Sequence, residues 1–190
     1  HLLVQPSLQV LREAKTSFKE LTAEEARKLE PALNPDTPLH ACIHLPQDEV
    51  GNCRQFAMLL KSEAQRLGTN FVFNTPIVAI DKATPATLWV ANEGRSRSFD
   101  AVVLCAGLDS AGLMKNLGVE IPMTAVYGYS ISAAVRESLN APRSALMDER
   151  YKVAISRIGQ RIRVAGSAEI GGSLNIHRES AIQTLYKVLG

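Results

Sequence analysis

The sequence contains no G-x-G-x-x-G, no G-x-S-x-G and no G-x-x-x-x-G-K-[ST]. The first turns a strand onto a dinucleotide, the second raises a hydrolase serine, and the third cradles a nucleoside triphosphate, so each chemistry lacks its positioning device within this chain. An excess of charge is missing too. Lys and Arg number 21 against 19 for Asp and Glu, a formal charge of +2. Nothing electrostatic therefore points to nucleic acid or an acidic membrane surface. No apolar run approaches the roughly 20 residues of a membrane-spanning helix. His1 is neither a methionine nor the start of a signal peptide, which suggests a processed or excised piece. Cysteine is scarce: Cys42, Cys53 and Cys105 are odd in number and widely spaced, the pattern of reduced core thiols in a cytoplasmic protein rather than of a disulfide framework.

What is present is apolar material, at 46% of residues, in a chain of 190 with mean hydropathy of -0.01. That is enough for one core, in one domain or one and a half. Thr22 and Glu25 stand three apart before an apolar pattern, a capping box, and Pro31 ends that helix. A second helix is expected from Asn52, with Gln55 at its third position, through Phe56, Leu59, Leu60, Ala64 and Leu67. Gly68 stops it, and one apolar stripe faces a core. Shorter helices fit Ser110 to Leu117 and Glu179 to Leu189.

Strand signals occupy His40 to Leu45, Asn70 to Phe73, Pro76 to Ile80, Thr87 to Ala91, Ser98 to Leu104, Thr124 to Ser132, Tyr151 to Ser156 and Arg161 to Ala165. Asn92-Glu93-Gly94 and Ile158-Gly159-Gln160 suit hairpin turns. Hairpin-connected strands with inserted helices argue an α+β fold with a mixed, largely antiparallel sheet. One stretch departs from that grammar. The run DAVVLCAG, residues 100 to 107, is apolar without alternation, as in a strand covered on both faces of a parallel sheet.

Candidate chemistry is sparse. His40 and His44 share one side of a strand but have no third ligand, so the expectation is no metal site. Asp148 and Glu149 are adjacent, and neighbours on a strand point apart, so a solvated turn is the simpler reading than an acid/base pair. Arg157, Arg161 and Arg163 share one parity, which suggests one face of a hairpin: either a wet sheet surface or a wall suited to a small carboxylate. Tyr127 and Tyr129 also share a face.

Several stretches in order carry a resemblance: LTAEEARKLEPAL (21–33), HLPQDEVGNCRQFAMLL (44–60), FVFNTPIVAID (71–81), FDAVVLCAG (99–107), YGYS (127–130) and MDERYKVAISRIGQRIRVAGSAEI (147–170). Together they resemble the bacterial FAD-dependent D-amino acid dehydrogenases, of the amine-oxidising flavoprotein family that includes glycine oxidase and sarcosine oxidase. The resemblance implies a substrate domain on the antiparallel sheet, interleaved with part of a Rossmann-like FAD domain. Residues from about 50 to 118 would lie nearer FAD, and 119 to 176 would form the substrate-side sheet. The glycine-rich loop and a C-terminal segment would lie outside the chain, and the piece alone would be inactive.

The implied reaction moves hydride from the Cα of a D-amino acid to flavin N5. The imino acid then hydrolyses to a 2-oxo acid and ammonia, and a quinone or other respiratory acceptor reoxidises the flavin. On the resemblance, Ile77, Cys105, Ala106, Gly107 and Gly166 would face FAD, while Tyr129, Tyr151 and Arg163 would face substrate. No catalytic residue is assigned. The family reads K-G-Y-S where this chain has Tyr127-Gly128-Tyr129-Ser130, so a phenol replaces a cation. The implied location is cytoplasmic or peripheral on the inner face of the bacterial inner membrane. The alternatives are a glycine or sarcosine oxidase-like enzyme, and a non-catalytic binding or interaction module.

Overall fold

A computed structural model describes residues 4–82, 85–91 and 93–189. The elements run α1 (Gln5–Glu13), β1 (Lys19–Leu21), α2 (Ala23–Leu29), β2 (Cys42–His44), α3 (Cys53–Arg66), β3 (Ile77–Asp81), β4 (Ala86–Val90), β5 (Ser96–Phe99) and α4 (Asp109–Lys115). They continue with β6 (Val126–Ala134), a 3-10 turn (Ser138–Asn140), β7 (Leu146–Asp148), β8 (Val153–Ile158), β9 (Arg161–Ile170) and α5 (Glu179–Leu189). The fold is mixed α and β with antiparallel sheets, in line with the expected class.

Local chemistry explains the elements read correctly. Thr22 Oγ1 accepts from Glu25 N–H at 3.2 Å, and the Glu25 carboxylate accepts from Thr22 N–H at 2.8 Å, closing the capping box of α2. Asn52 Oδ1 caps α3 by accepting from Gln55 N–H at 3.1 Å. Gly159 at φ +60 makes the two-residue turn between Ile158 and Arg161. The expected Asn92-Glu93-Gly94 turn includes Asn92, which lies outside the described residues. The helix α1, with Pro6 in its first turn, and the three-residue strands β1 and β7 were not signalled, the strands being too short to show a period.

The chain divides into two compact units. One takes the described residues up to Phe56, with Gly128–Ala168 and those from Leu174 on. It holds the four-stranded sheet, ordered β6-β9-β8-β7. Its core is Ala141, Val153, Ile162, Val164 and Leu185, with Val188 and Leu189 of α5 packed against it. One face of the sheet is thus covered by α5. Burying Val153, Val164 or Leu185 is worth about 1.5–3 kcal/mol each.

The other unit, Ala57–Tyr127 with Glu169–Ser173, holds the antiparallel sheet β3-β4-β5. In the stretch from α3 to residue 104 three expectations fail. Phe71 and Phe73 form no strand; their rings stack 5.9 Å apart before Asn74, whose φ of 53 breaks an extended run. The helix α3 buries none of its residues: Phe56, Leu59 and Leu60 are 67%, 62% and 57% exposed, so its apolar stripe faces no core. Last, the strand expected through Leu104 stops at Phe99. Among the described residues no backbone group from Ala101 to Cys105 has a hydrogen-bond partner, and Val103 is 86% exposed. Residues 101–105 of DAVVLCAG thus belong to no sheet among the described residues, rather than to a strand covered on both faces.

The cysteines differ from expectation as well. Cys53 and Cys105 are exposed and only Cys42 is half-buried, because two of the three sit on the uncovered α3 and the uncovered 101–106 segment. All three are free thiols. Among the described residues no helix is long and apolar enough to cross a membrane.

Candidate functional site

Of the five residues expected to face a cofactor, four lie in the unit containing β3. Ile77, half-buried at the start of β3, lines an open cleft of about 430 Å³ with Pro76, Leu108, Asp109, Gly112 and Leu113. Beside Leu108 the chain turns through Cys105, Ala106 and Gly107, all exposed. Gly107 sits at φ +57, where a Cβ is strained, although the space around it is open. Ser110 fixes this turn: its Oγ accepts from Ala106 N–H at 3.1 Å, and its own N–H donates to Gly107 O at 3.1 Å. The side chain is only 9% exposed. Ser110 was not picked out from the sequence, where a serine in the first turn of a short helix is an ordinary sight.

This surface fits the approach of a flat, polar group by its backbone. The chain at 106 and 107 carries nothing larger than a methyl, and the segment before it has free amides and carbonyls. Among the described residues Asp109 is the one ionisable group lining the cleft. A carboxylate accepts from sugar hydroxyls and repels phosphate.

Gly166, the fifth, belongs to the other unit. It pairs with Val153 across β8 and β9, and a Cβ there would meet Lys152 O and Val153 Cγ2 at 2.9 Å. Strand packing alone therefore demands a glycine at 166.

The substrate-side candidates are not brought together. Tyr129 packs against the core under α5, and its hydroxyl accepts from Arg178 N–H at 3.1 Å just before that helix begins. Tyr151 lies on the same side, against the core, with Lys187 Nζ 5.4 Å and Arg150 Cζ 5.3 Å from its ring centre. Arg163 is opposite Ser156 and points away from that core. The shared arginine face is also overturned. Directly opposed residues point to the same side, and Arg157 stands opposite buried Ile162, whereas Arg161 and Arg163 stand opposite Ile158 and Ser156. Across the two-residue turn the register of the hairpin inverts sequence parity, so residues of one parity on β8 and β9 face opposite sides. Arg157 instead donates to Gly159 O at 3.1 Å and Ser138 Oγ at 3.2 Å.

Asp148 ends β7 and Glu149 opens the turn that follows it. Asp148 Oδ1 accepts from Arg150 and Tyr151 N–H at 2.8 and 3.0 Å, and Glu149 pairs with Lys152. His44 lies opposite Lys19 in the β1-β2 pair, and no group of metal-ligating side chains occurs among the described residues.

A family model described as FAD dependent oxidoreductase matches residues 4–189. The chain is 40% identical over 166 residues to a D-amino acid dehydrogenase of Bradyrhizobium diazoefficiens, a match covering 87% of this chain and 39% of that protein. It is 33% identical over 172 residues to a D-amino acid dehydrogenase of Vibrio vulnificus, covering 90% of this chain and 41% of that one. The chain thus spans about two fifths of the length of the curated relatives it matches. A crystal structure of glycine oxidase from Geobacillus kaustophilus superposes with a TM-score of 0.77 over 94% of this chain and 47% of the other. At 19% identity that is a likeness of fold.

Proposed function

Because the chain belongs to the family of FAD dependent oxidoreductases, we propose that it is the central part of a longer enzyme that oxidatively deaminates D-amino acids to 2-oxo acids and ammonia. The observation that carries this reading is the 40% identity to a D-amino acid dehydrogenase over 166 residues. Bound FAD supplies the hydride acceptor. This chain's residues would receive its nucleoside end along Ile77 and the Cys105-Ala106-Gly107 turn, with Asp109 accepting from a sugar hydroxyl. In this reading residues from about 50 to 118 lie nearer FAD and 119 to 176 nearer substrate. A quinone or other respiratory acceptor takes the electrons, in a protein that is cytoplasmic or peripheral on the inner face of the inner membrane. The 101–105 segment, unpaired among the described residues, supports the division: an apolar run with free backbone groups is what a sheet strand looks like when its neighbours come from elsewhere.

The experiment is anaerobic addition of D-alanine to the FAD-loaded longer protein, read as bleaching of the visible flavin band. Bleaching by D-alanine is the expected result. Bleaching by glycine or sarcosine alone would move the protein to the oxidase branch, and failure of the longer protein to hold FAD would leave a non-catalytic module. The 190-residue chain by itself is expected to hold no stoichiometric FAD; purification of a yellow chain would overturn the view that it is inactive alone.

A further inference from the structure

In the unit containing β3, the stretch from 101 to 110 inverts the usual rule of burial. Its apolar side chains are exposed or half-buried, Val103 at 86% and Leu108 at 49%, and among these described residues Ser110 alone is buried. Its hydrogen bonds change character just as sharply. From Ala101 to Cys105 no backbone group has a partner among the described residues, whereas the next five residues close on themselves. Asp109 N–H donates to Ala106 O at 3.2 Å and Ser110 N–H to Gly107 O at 3.1 Å, while Ala106 N–H donates to Ser110 Oγ at 3.1 Å. Ser110 takes part in two of these three bonds. Among the described residues its hydroxyl is the one acceptor that the Ala106 amide has.

The turn needs such a tie because packing does not supply one. Cys105, Ala106 and Gly107 are exposed, and nothing lies within 4 Å of where a Cβ on Gly107 would stand. Gly107 holds φ +57, one of the many conformations open to a glycine, and a glycine loses more freedom on ordering than any other residue. Ser110 itself is no part of the cleft wall. Leu108 and Asp109 before it, and Gly112 and Leu113 after it, line the cleft with Pro76 and Ile77. Positions three and four apart share a helix side, so 109, 112 and 113 face the cleft together while the serine hydroxyl is engaged by the Ala106 amide.

We infer that Ser110 is a positioning residue for FAD: its hydroxyl holds the 105–107 turn in its receiving shape before the cofactor arrives. The inference rests on the FAD-dependent reading and adds a residue that acts through the Ala106 amide. A turn already in place leaves no ordering cost for the ligand to meet, which raises affinity over that of a turn formed on binding. Without the hydroxyl the Ala106 amide loses its acceptor and Gly107 regains its freedom. The loss falls on FAD binding, because this exposed turn supports none of the buried core.

The test uses the longer protein, stripped of FAD and titrated with it, with binding read from the flavin fluorescence and folding from the melting of the apoprotein. Ser110→Ala should raise the FAD dissociation constant about tenfold. It should also shrink the rise in melting temperature that FAD confers, while the apoprotein melts close to the parent. Ser110→Thr, which keeps the hydroxyl, should bind as the parent does, and Ser110→Cys, whose sulfur is a weak acceptor, should fall between. Unchanged FAD affinity in Ser110→Ala overturns the inference, and so does a threonine variant no better than the alanine one. Equal losses of melting temperature with and without FAD, or an alanine apoprotein that does not fold, make the hydroxyl a structural support and overturn it as well. The deamination reading fails separately: an FAD-saturated protein whose flavin no D-amino acid bleaches refutes that reading whatever Ser110 does to affinity. A longer protein that holds no FAD refutes both.

Discussion

Glu30 is 2% exposed and has no cationic partner among the described residues, yet it is well satisfied. Its Oε2 accepts from Arg143 N–H at 2.7 Å and Ser144 N–H at 2.8 Å, and Oε1 from Ala32 N–H at 3.3 Å. A residue at the end of α2 thereby holds the loop leading into β7, more than a hundred positions away. Removing the carboxylate would leave the Arg143, Ser144 and Ala32 amides without this acceptor. Glu30→Ala should cost about 2–4 kcal/mol and Glu30→Gln, which keeps one acceptor oxygen, about half as much. Urea unfolding measures both; an unchanged midpoint for Glu30→Ala would mean that water replaces the carboxylate at no cost. Nothing local announced this residue. Before Pro31 it reads as the last turn of a surface helix, because its partners lie in a distant segment.

At the scale of elements, α2 shows how far local chemistry reaches. The Thr22 N–H and hydroxyl hold the Glu25 carboxyl below its ordinary value of 4.5, with Lys28 adding a smaller pull the same way. A folded-state value that is depressed means the capping contribution is complete above the unfolded value and is lost as pH falls through the folded one. Amide exchange in α2 should therefore speed up as pH drops below 4.5, relative to intrinsic exchange at each pH. Thr22→Ala, which keeps the backbone N–H at position 22 but removes the hydroxyl, should weaken that dependence and cost about 1 kcal/mol. Protection that ignores pH in the parent chain would show that packing, not the box, holds the helix. The helix α3 is the contrary case. Its stripe was legible as a stripe, but the period of a helix says only that one side is apolar, not that anything covers it.

At the scale of the whole molecule, the unit containing β3 is short of cover. Among its described residues Val90 is the sole buried hydrophobic side chain, while Leu67, Phe73 and Val103 are 71%, 63% and 86% exposed. Monomeric proteins rarely leave contiguous apolar surface beyond a few hundred Å². The isolated chain should thus enhance the fluorescence of an apolar dye and associate with rising concentration in sedimentation. Val103→Glu should reduce both. A chain that stays monomeric and dye-negative at every concentration would show that this surface is covered in solution by a rearrangement of its own.

The sequence by itself determined the antiparallel α+β class, the capping box, the turn at Gly159-Gln160, the extent of α5 and the family, because each is written in residues close together or in their order. Tertiary structure alone decided which way side chains face. It put Arg157 with Ile162 and Arg163 with Ser156, sent Tyr129 and Tyr151 to the α5 side, and gave Gly166 a packing reason. The physical cause is register. A strand's period fixes which residues share a side, but only its partner's alignment says whether that side is core or open surface.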